Sequence, residues 1–279
     1  MKGKTTDSII EAALQEDLPQ GDITSESIIP DDSRSRAIIL AKEDGILAGM
    51  DVASRVFEKI DPDVEFKREK DDGQKFSKGE TLAELEGSSI SILKGERTAL
   101  NFLQRMSGIA TTTGRFVEAL KGTRTKILDT RKTTPGLRNL EKYAVKMGGG
   151  QNHRRNLSEM VLIKDNHLKL VGSISEAVKR AKERIAPGIK VEVEATCLTE
   201  VQEAVRSGAD MVMLDNMSMG KMKEVVKWIE GRIPLEVSGS VTLSKIREIA
   251  ALRIDFISVG SLTHSYRSVD ISMEFLEEL

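Results

Sequence analysis

From about residue 125 to residue 260 the sequence repeats one unit: a short run of apolar and β-branched residues, a polar loop, then apolar positions at helical spacing. The short runs fall at 125–128, 160–163, 190–194, 211–214, 235–237 and 256–259, and the helical patterns at 137–147, 173–186, 199–207, 218–230 and 242–251. A helix between successive strands returns the chain to the same end of the sheet, so neighbouring strands run parallel. The expected fold class is α/β: a C-terminal parallel α/β barrel, incomplete and TIM-like, with about six to seven strands. A doubly wound sheet is disfavoured because the glycine fingerprint of dinucleotide-binding folds is missing.

Residues 36–87 have a different texture, with short alternating runs at 36–41, 45–49 and 81–85 punctuated by Gly and Asp. With a helix expected over 52–59 and another from Asp7 to about Gln15, capped by Asp7 or Thr6, these make an N-terminal α+β sandwich domain over 1–107. A helical stretch from Leu93 to about Met106 leads into the barrel domain, 108–265, and residues 266–279 are expected to pack back on the N-terminal domain. The stretch 72–82 is similar to the turn-and-strand pattern of biotinyl and lipoyl carrier domains. The modifiable lysine in its tight hairpin is absent, so this stretch is structural.

The formal net charge is −2, yet residues 121–170 hold twelve Lys/Arg against four Asp/Glu. A cationic patch therefore sits on an otherwise acidic protein. Aromatic residues make up 4% of the chain, which leaves few platforms for stacking bases, and no nucleic-acid motif is present, so no nucleic-acid partner is expected. No run approaches the roughly 18 apolar residues of a membrane span. The first residues lack the apolar core and cleavage site of a secretory signal, so a cytoplasmic location and no membrane partner are expected. The single cysteine excludes an internal disulfide.

In a parallel barrel the reactive groups lie at the C-terminal ends of the strands. Here every expected strand delivers polar or charged residues to that rim. They are Asp129-Thr130-Arg131-Lys132, Lys164-Asp165-Asn166-His167, Glu194, Asp215-Asn216, Ser238-Gly239-Ser240 and, after Val259, Gly260-Ser261. In Val191-Glu192-Val193-Glu194 the side chains alternate, so the valines face the helices and both glutamates point into the barrel. An inward carboxylate needs a cation or a hydrogen-bond donor to meet it. Glu194 is the better candidate for a metal or a cationic transition state, although strand register decides between it and Glu192. Asp215 supplies a second carboxylate, and such oxygen ligands, with room for water and phosphate, suit Mg²⁺. A structural salt bridge from Glu194 to Lys132 or Lys164 is the alternative. Ser238-Gly239-Ser240, ahead of a helix expected at Val241, and Gly260-Ser261 look like a phosphate site. Gly148-Gly149-Gly150 lacks the Gly-Lys-Ser/Thr of a P-loop.

Several motifs now combine: Glu96-Arg97-Thr98-Ala99-Leu100-Asn101, Ser107-Gly108-Ile109-Ala110-Thr111, Asp129-Thr130-Arg131-Lys132-Thr133, Gly148 to Arg154, and Lys164-Asp165-Asn166-His167. Together, and in this order, they resemble the quinolinate phosphoribosyltransferase family over nearly the whole chain. The resemblance implies transfer of phosphoribose from phosphoribosyl pyrophosphate to quinolinate, giving nicotinate mononucleotide, pyrophosphate and CO₂, with Mg²⁺ as cofactor, in NAD biosynthesis. It implies that Arg131, Lys132, His153, Arg154 and Lys164, with Thr130 beside them, surround the quinolinate carboxylates. Arg97 would come from a neighbouring subunit, which requires a homodimer or larger homo-oligomer. Glu194 and Asp215 would serve the Mg²⁺ and ribose end, and Ser238, Gly239, Ser240, Val259, Gly260, Ser261 and His264 the phosphate. Lys132, Lys164, Glu194 and Asp215 are the implied catalytic residues.

These residue types suit that chemistry. Loss of pyrophosphate leaves an oxocarbenium-like ribose that carboxylates stabilise, while Mg²⁺ and lysines neutralise the leaving group. Arginine forks match the planar carboxylates of the acceptor. Three alternatives remain at this point. A related phosphoribosyltransferase-like barrel could act on another acceptor; a Schiff-base aldolase using Lys164 leaves the rim arginines unexplained; a non-catalytic binding module leaves Glu194 and Asp215 unexplained.

Overall fold

The computed structural model describes residues 4–278. Its first half runs α1 (Lys4–Asp17), α2 (Ile23–Ile28), β1 (Arg34–Ala41), β2 (Gly45–Ile46), α3 (Met50–Ile60), β3 (Glu65–Arg68), β4 (Lys75–Phe76), β5 (Thr81–Ser88) and α4 (Ser89–Ala119). Then follow β6 (Lys126–Leu128), α5 (Arg138–Met147), β7 (Val161–Ile163), α6 (Asp165–Val171), α7 (Ile174–Arg184), β8 (Val191–Ala195) and α8 (Leu198–Arg206). The remainder is β9 (Met211–Asp215), α9 (Met219–Ile229), β10 (Leu235–Ser238), α10 (Ile246–Ala251), β11 (Phe256–Ser258), α11 (Ser261–His264) and β12 (Ile271–Glu278). Contacts divide the chain into two compact units. The first takes the chain through Gly114, Thr133–Gly149 and the residues from Leu262 onward; the second takes Arg115–Lys132 and Gly150–Ser261.

In the second unit the six strands form one parallel sheet in the order β6-β11-β10-β9-β8-β7. From β7 to β11 each strand lies beside its successor, and β6 returns beside β11, which is the circular order of an open barrel. One further parallel bridge joins Leu128 to Gln151, where Gln151 N–H donates to Ile127 O at 2.8 Å and Asp129 N–H to Gln151 O at 3.1 Å. Val191, Val193, Val212 and Ile257 are fully buried, as are Val201, Ala204 and Val225 on the surrounding helices. Each such large apolar side chain contributes about 1.5–3 kcal/mol on leaving water.

In this unit two details depart from the pattern expected of the sequence. Helix α6 has no buried residue, so it carries no apolar stripe by which periodicity could reveal it. Helix α10 begins at Ile246 rather than Val241. The hydroxyls of Thr242 and Ser244 lie 2.9 Å apart and Lys245 N–H donates to Thr242 O at 3.1 Å, so a turn holds this stretch where a helical start was expected. No helix N-terminus therefore adjoins Ser238-Gly239-Ser240.

The first unit is built on an antiparallel sheet in the order β12-β1-β5-β3, with β2 and β4 paired separately. Strand β12 pairs with β1 from Ala41 against Ile271 to Ser35 against Glu278, so the closing segment of the chain is part of the same sheet as β1. Helix α1 begins upstream of the expected cap, and Asp7 instead lies 2.5 Å from Arg55, with Glu11 2.6 Å from Lys59. These pairs repeat every four residues on both helices, which aligns α1 on α3. Helix α4 is 31 residues long, well past the stretch expected to end near Met106. Burial of Leu103, Met106, Ile109 and Ala110 outweighs the weak helix propensity of Gly108 and Thr111 to Thr113. Among the described residues no helix is long and apolar enough to cross a membrane.

Gly148, which caps the C-terminus of α5, has no room for a side chain. A Cβ on Gly148 would lie 2.3 Å from Ala110 O and 2.6 Å from Thr113 Cβ, both on α4. The backbone carbonyl cannot yield as a flexible side chain would. Gly148→Ala is therefore expected to destabilise the protein by about 1–3 kcal/mol, checked as a lower midpoint in urea unfolding with an unchanged slope.

Candidate active site

The rim of the second unit is assembled from the bottom of the barrel upward. Asp129, fully buried at the end of β6, accepts from His153 N–H at 2.9 Å and from Asn152 Nδ2 at 2.5 Å. Together with the Gln151 bridge this fixes the backbone of 151–154 beside β6. It also turns the His153 ring inward, where Nε2 lies 3.1 Å from Glu192 and 3.4 Å from Glu236. Both glutamates are fully buried, and Ser258 Oγ–H donates to the second oxygen of Glu236. His153 Nδ1 accepts from Arg154 N–H at 2.8 Å.

The charges of this core layer act directly on one another. Burial disfavours a charged His153 ring, but its hydrogen bonds and charge attraction to Glu192 and Glu236 outweigh burial and hold it up at about 9. Burial pushes Glu192 up to about 7, the His153 bond opposes that rise, and Glu236 adds to it. Among the described residues, His153, Glu192 and Glu236 are also the one group whose ligand atoms, all within 4.8 Å of one another, could hold a metal ion. With its proton on Nε2 the ring serves instead as the donor between the two carboxylates, and becoming the full cation means giving up the Arg154 N–H contact at Nδ1.

One layer higher, the register sets Glu192 opposite Leu162 of β7 and Met211 of β9, and Glu194 opposite Met213, two residues nearer the C-terminal end. Glu194 is thus the rim carboxylate of β8. Its partner is Lys164, which follows β7 and whose Nζ donates to Glu194 Oε2. Asp215 closes β9 in register with Ser238 of β10 and is half-buried. Thr130 Oγ1 accepts from Lys132 N–H at 3.0 Å, tightening the turn after β6 and leaving Lys132 exposed. Val259 is buried, and its N–H donates to Leu128 O at 2.9 Å, so Gly260-Ser261 leaves the sheet beside the end of β6.

Arg131 and Arg154 make the most informative pair. Burial, and then the charge of Arg131, lower the pKa of the Arg154 guanidinium. Arg154 Nη1 donates to Met160 O at 2.9 Å, whereas the buried Arg131 Nε has no acceptor. Neither arginine is in an ion pair among the described residues. Two guanidinium groups close enough to repel, with the Glu192 charge only partly offsetting that repulsion at Arg154, form a site suited to an anion.

Gly239 and Ser240 follow Ser238 in the second unit, whereas Arg97 and His264 lie in the first. Arg97 is exposed on α4, with no partner among the described residues, and His264 is exposed on α11, its Nδ1 2.6 Å from Ser265 Oγ. Glu236 is not among the residues expected from the sequence, although Leu235-Glu236-Val237 carries the same inward-carboxylate alternation as Val191-Glu192-Val193. The anchoring role of Asp129 is likewise visible only in the structure.

Comparison with known proteins covers nearly the whole chain. Residues 22–107 match the model of the quinolinate phosphoribosyl transferase N-terminal domain and residues 109–274 that of the C-terminal domain. A probable nicotinate-nucleotide pyrophosphorylase (carboxylating) of Bacillus subtilis is 44% identical over 93% of this chain and 89% of its own length. A mitochondrial quinolinate phosphoribosyltransferase (decarboxylating) of Nicotiana tabacum is 40% identical over 97% of this chain and 82% of its own. The crystal structure of NadC from Streptococcus pyogenes superposes with a TM-score of 0.96 at 42% identity, covering 100% of this chain and 99% of that one. The chain belongs to the quinolinate phosphoribosyltransferase family.

Proposed function

We propose that this chain transfers phosphoribose from phosphoribosyl pyrophosphate to quinolinate, with decarboxylation, in a Mg²⁺-dependent reaction of NAD biosynthesis. The observation that carries it is the Arg131–Arg154 pair, two half-buried guanidinium groups that repel one another and have no ion pair among the described residues. Vicinal carboxylates on a planar ring match two such forks. Lys164 and Lys132 add positive charge at the adjacent strand ends, and Arg97 completes the acceptor site from a neighbouring subunit of a homo-oligomer. His153, both of whose ring nitrogens face protein atoms, acts mainly by fixing Arg154.

The ring nitrogen of quinolinate attacks C1 of the ribose as the bond to pyrophosphate breaks. Positive charge gathers on the ribose, where the Asp215 and Glu194 carboxylates stabilise it. The ring nitrogen is then cationic, so the bond to the neighbouring carboxylate can break with its electrons drawn into the ring; CO₂ leaves and a proton is added at that carbon. The donor set suits Mg²⁺, since Asp215 is a half-exposed carboxylate beside the serines of Ser238-Gly239-Ser240, and a hard cation keeps water and phosphate in its remaining positions. Mg²⁺ supplies charge neutralisation for the leaving pyrophosphate. Because Lys164 already meets Glu194, Asp215 is the stronger of the two as a ligand. The test is conversion of quinolinate and phosphoribosyl pyrophosphate into nicotinate mononucleotide and CO₂. The product is expected with Mg²⁺, is lost with chelator, and does not form when nicotinate replaces quinolinate. Equal turnover of nicotinate would overturn the assignment of the acceptor.

A further inference from the structure

Beyond the last rung of the β9–β10 ladder, where Ser238 lies opposite Asp215, Asn216 N–H donates to Ser238 O at 3.0 Å. The chain then enters the left-handed region, with φ +50° at Asn216, +95° at Gly239 and +47° at Ser240. Non-glycine residues adopt this conformation at a cost, asparagine more readily than most. The two loops meet closely: a Cβ at Gly239 would lie 2.2 Å from Asn216 Oδ1. The other end of the same carboxamide donates from Nδ2 to Asp215 Oδ2 at 2.8 Å. Asn216 thus touches both the rim carboxylate and the Gly/Ser loop. Among the described residues the N–H groups of Gly239, Ser240 and Val241 have no protein acceptor, and successive N–H groups around positive-φ residues form a concavity suited to an anion.

We propose that Asn216 is a positioning residue for the phosphoribosyl half of the site. Its carboxamide orients the Asp215 carboxylate with Nδ2 and braces Gly239 with Oδ1. The loop is thereby held open, with its N–H groups available to phosphate oxygens. This rests on the function proposed above and extends it to a residue that sequence motifs leave unassigned. A purely conformational role makes a different forecast. If Asn216 served only to tolerate a positive φ, glycine would serve as well or better.

The experiment is calorimetric titration of wild-type, Asn216→Gly and Asn216→Asp proteins, each with phosphoribosyl pyrophosphate in Mg²⁺ and, separately, with quinolinate. Loss of a hydrogen bond to a charged group weakens binding by roughly 10- to 100-fold. Asn216→Gly is expected to show that loss toward phosphoribosyl pyrophosphate, with the quinolinate Kd changed by less than about twofold. Asn216→Asp, which tolerates the backbone but loses the donor and adds negative charge, is expected to bind still more weakly. An Asn216→Gly protein that binds phosphoribosyl pyrophosphate like wild type, or loses both ligands equally, overturns the proposal. Wild-type protein that binds neither ligand overturns the function itself, so the two failures are distinguishable.

Discussion

Arg131→Ala is expected to lower kcat/KM for quinolinate by roughly 10²- to 10³-fold, as losses of a desolvated charged contact do, while the melting temperature stays within about 2 °C of wild type. The asymmetry follows from what Arg131 touches. Among the described residues it has no ion pair and one buried, unsatisfied nitrogen, and it repels Arg154. Removing it takes away no folded-state partner and relieves that repulsion. With quinolinate bound, the same change leaves a carboxylate facing one guanidinium instead of two. Arg131→Lys, which keeps the charge and loses the fork, is expected to fall between wild type and alanine. Steady-state kinetics beside a thermal melt decide the matter; near-normal turnover in Arg131→Ala would remove this residue from the acceptor site. Lys164→Ala is a less clean probe, because it also leaves Glu194 without its partner and so lowers stability and activity together.

What was legible in the sequence divides along physical lines. The barrel was readable because strands and helices write their periods, near 2 and 3.6, directly into apolar spacing. The inward direction of Glu192 and Glu194 followed from the same alternation. Glu236 obeys it too and needed only the argument to be repeated on β10. Helix α6 and the start of α10 were hidden for a different reason: one has no buried face, and the other is delayed by hydroxyl-rich turn residues whose effect depends on which of several local bonds forms. Arg97 and His264 lie in the first unit, beyond the reach of any argument about strand ends, and came only from motif resemblance. Asn216 could not be found from periodicity, since its conformation is set by two loops that meet after their strands end.

The second large effect belongs to the buried layer beneath the arginines. His153→Ala is expected to destabilise the protein by about 3–5 kcal/mol near pH 8, the range for breaking a buried charge pair by removing one partner. Glu192 and Glu236, both without solvent exposure, would then face one another with no donor between them. The pH dependence has a definite sign. The folded His153 ring is held up at about 9 from an ordinary value of 6.5. Its contribution is therefore present in full below pH 6.5 and is lost as pH rises through 9. In the variant the paired carboxylates relieve their repulsion by binding a proton, so the variant regains stability as the solution is acidified. The difference between the two proteins is thus largest in the window between about pH 7 and pH 9 and narrows on either side. Urea melts across that range measure the difference. Ring-proton spectra of a chain with 3 histidines should show one ring titrating near pH 9 that disappears in the variant. A difference that does not vary with pH, or three rings all titrating near 6.5, would mean that the carboxylates in this layer are neutralised by shared protons and not by His153.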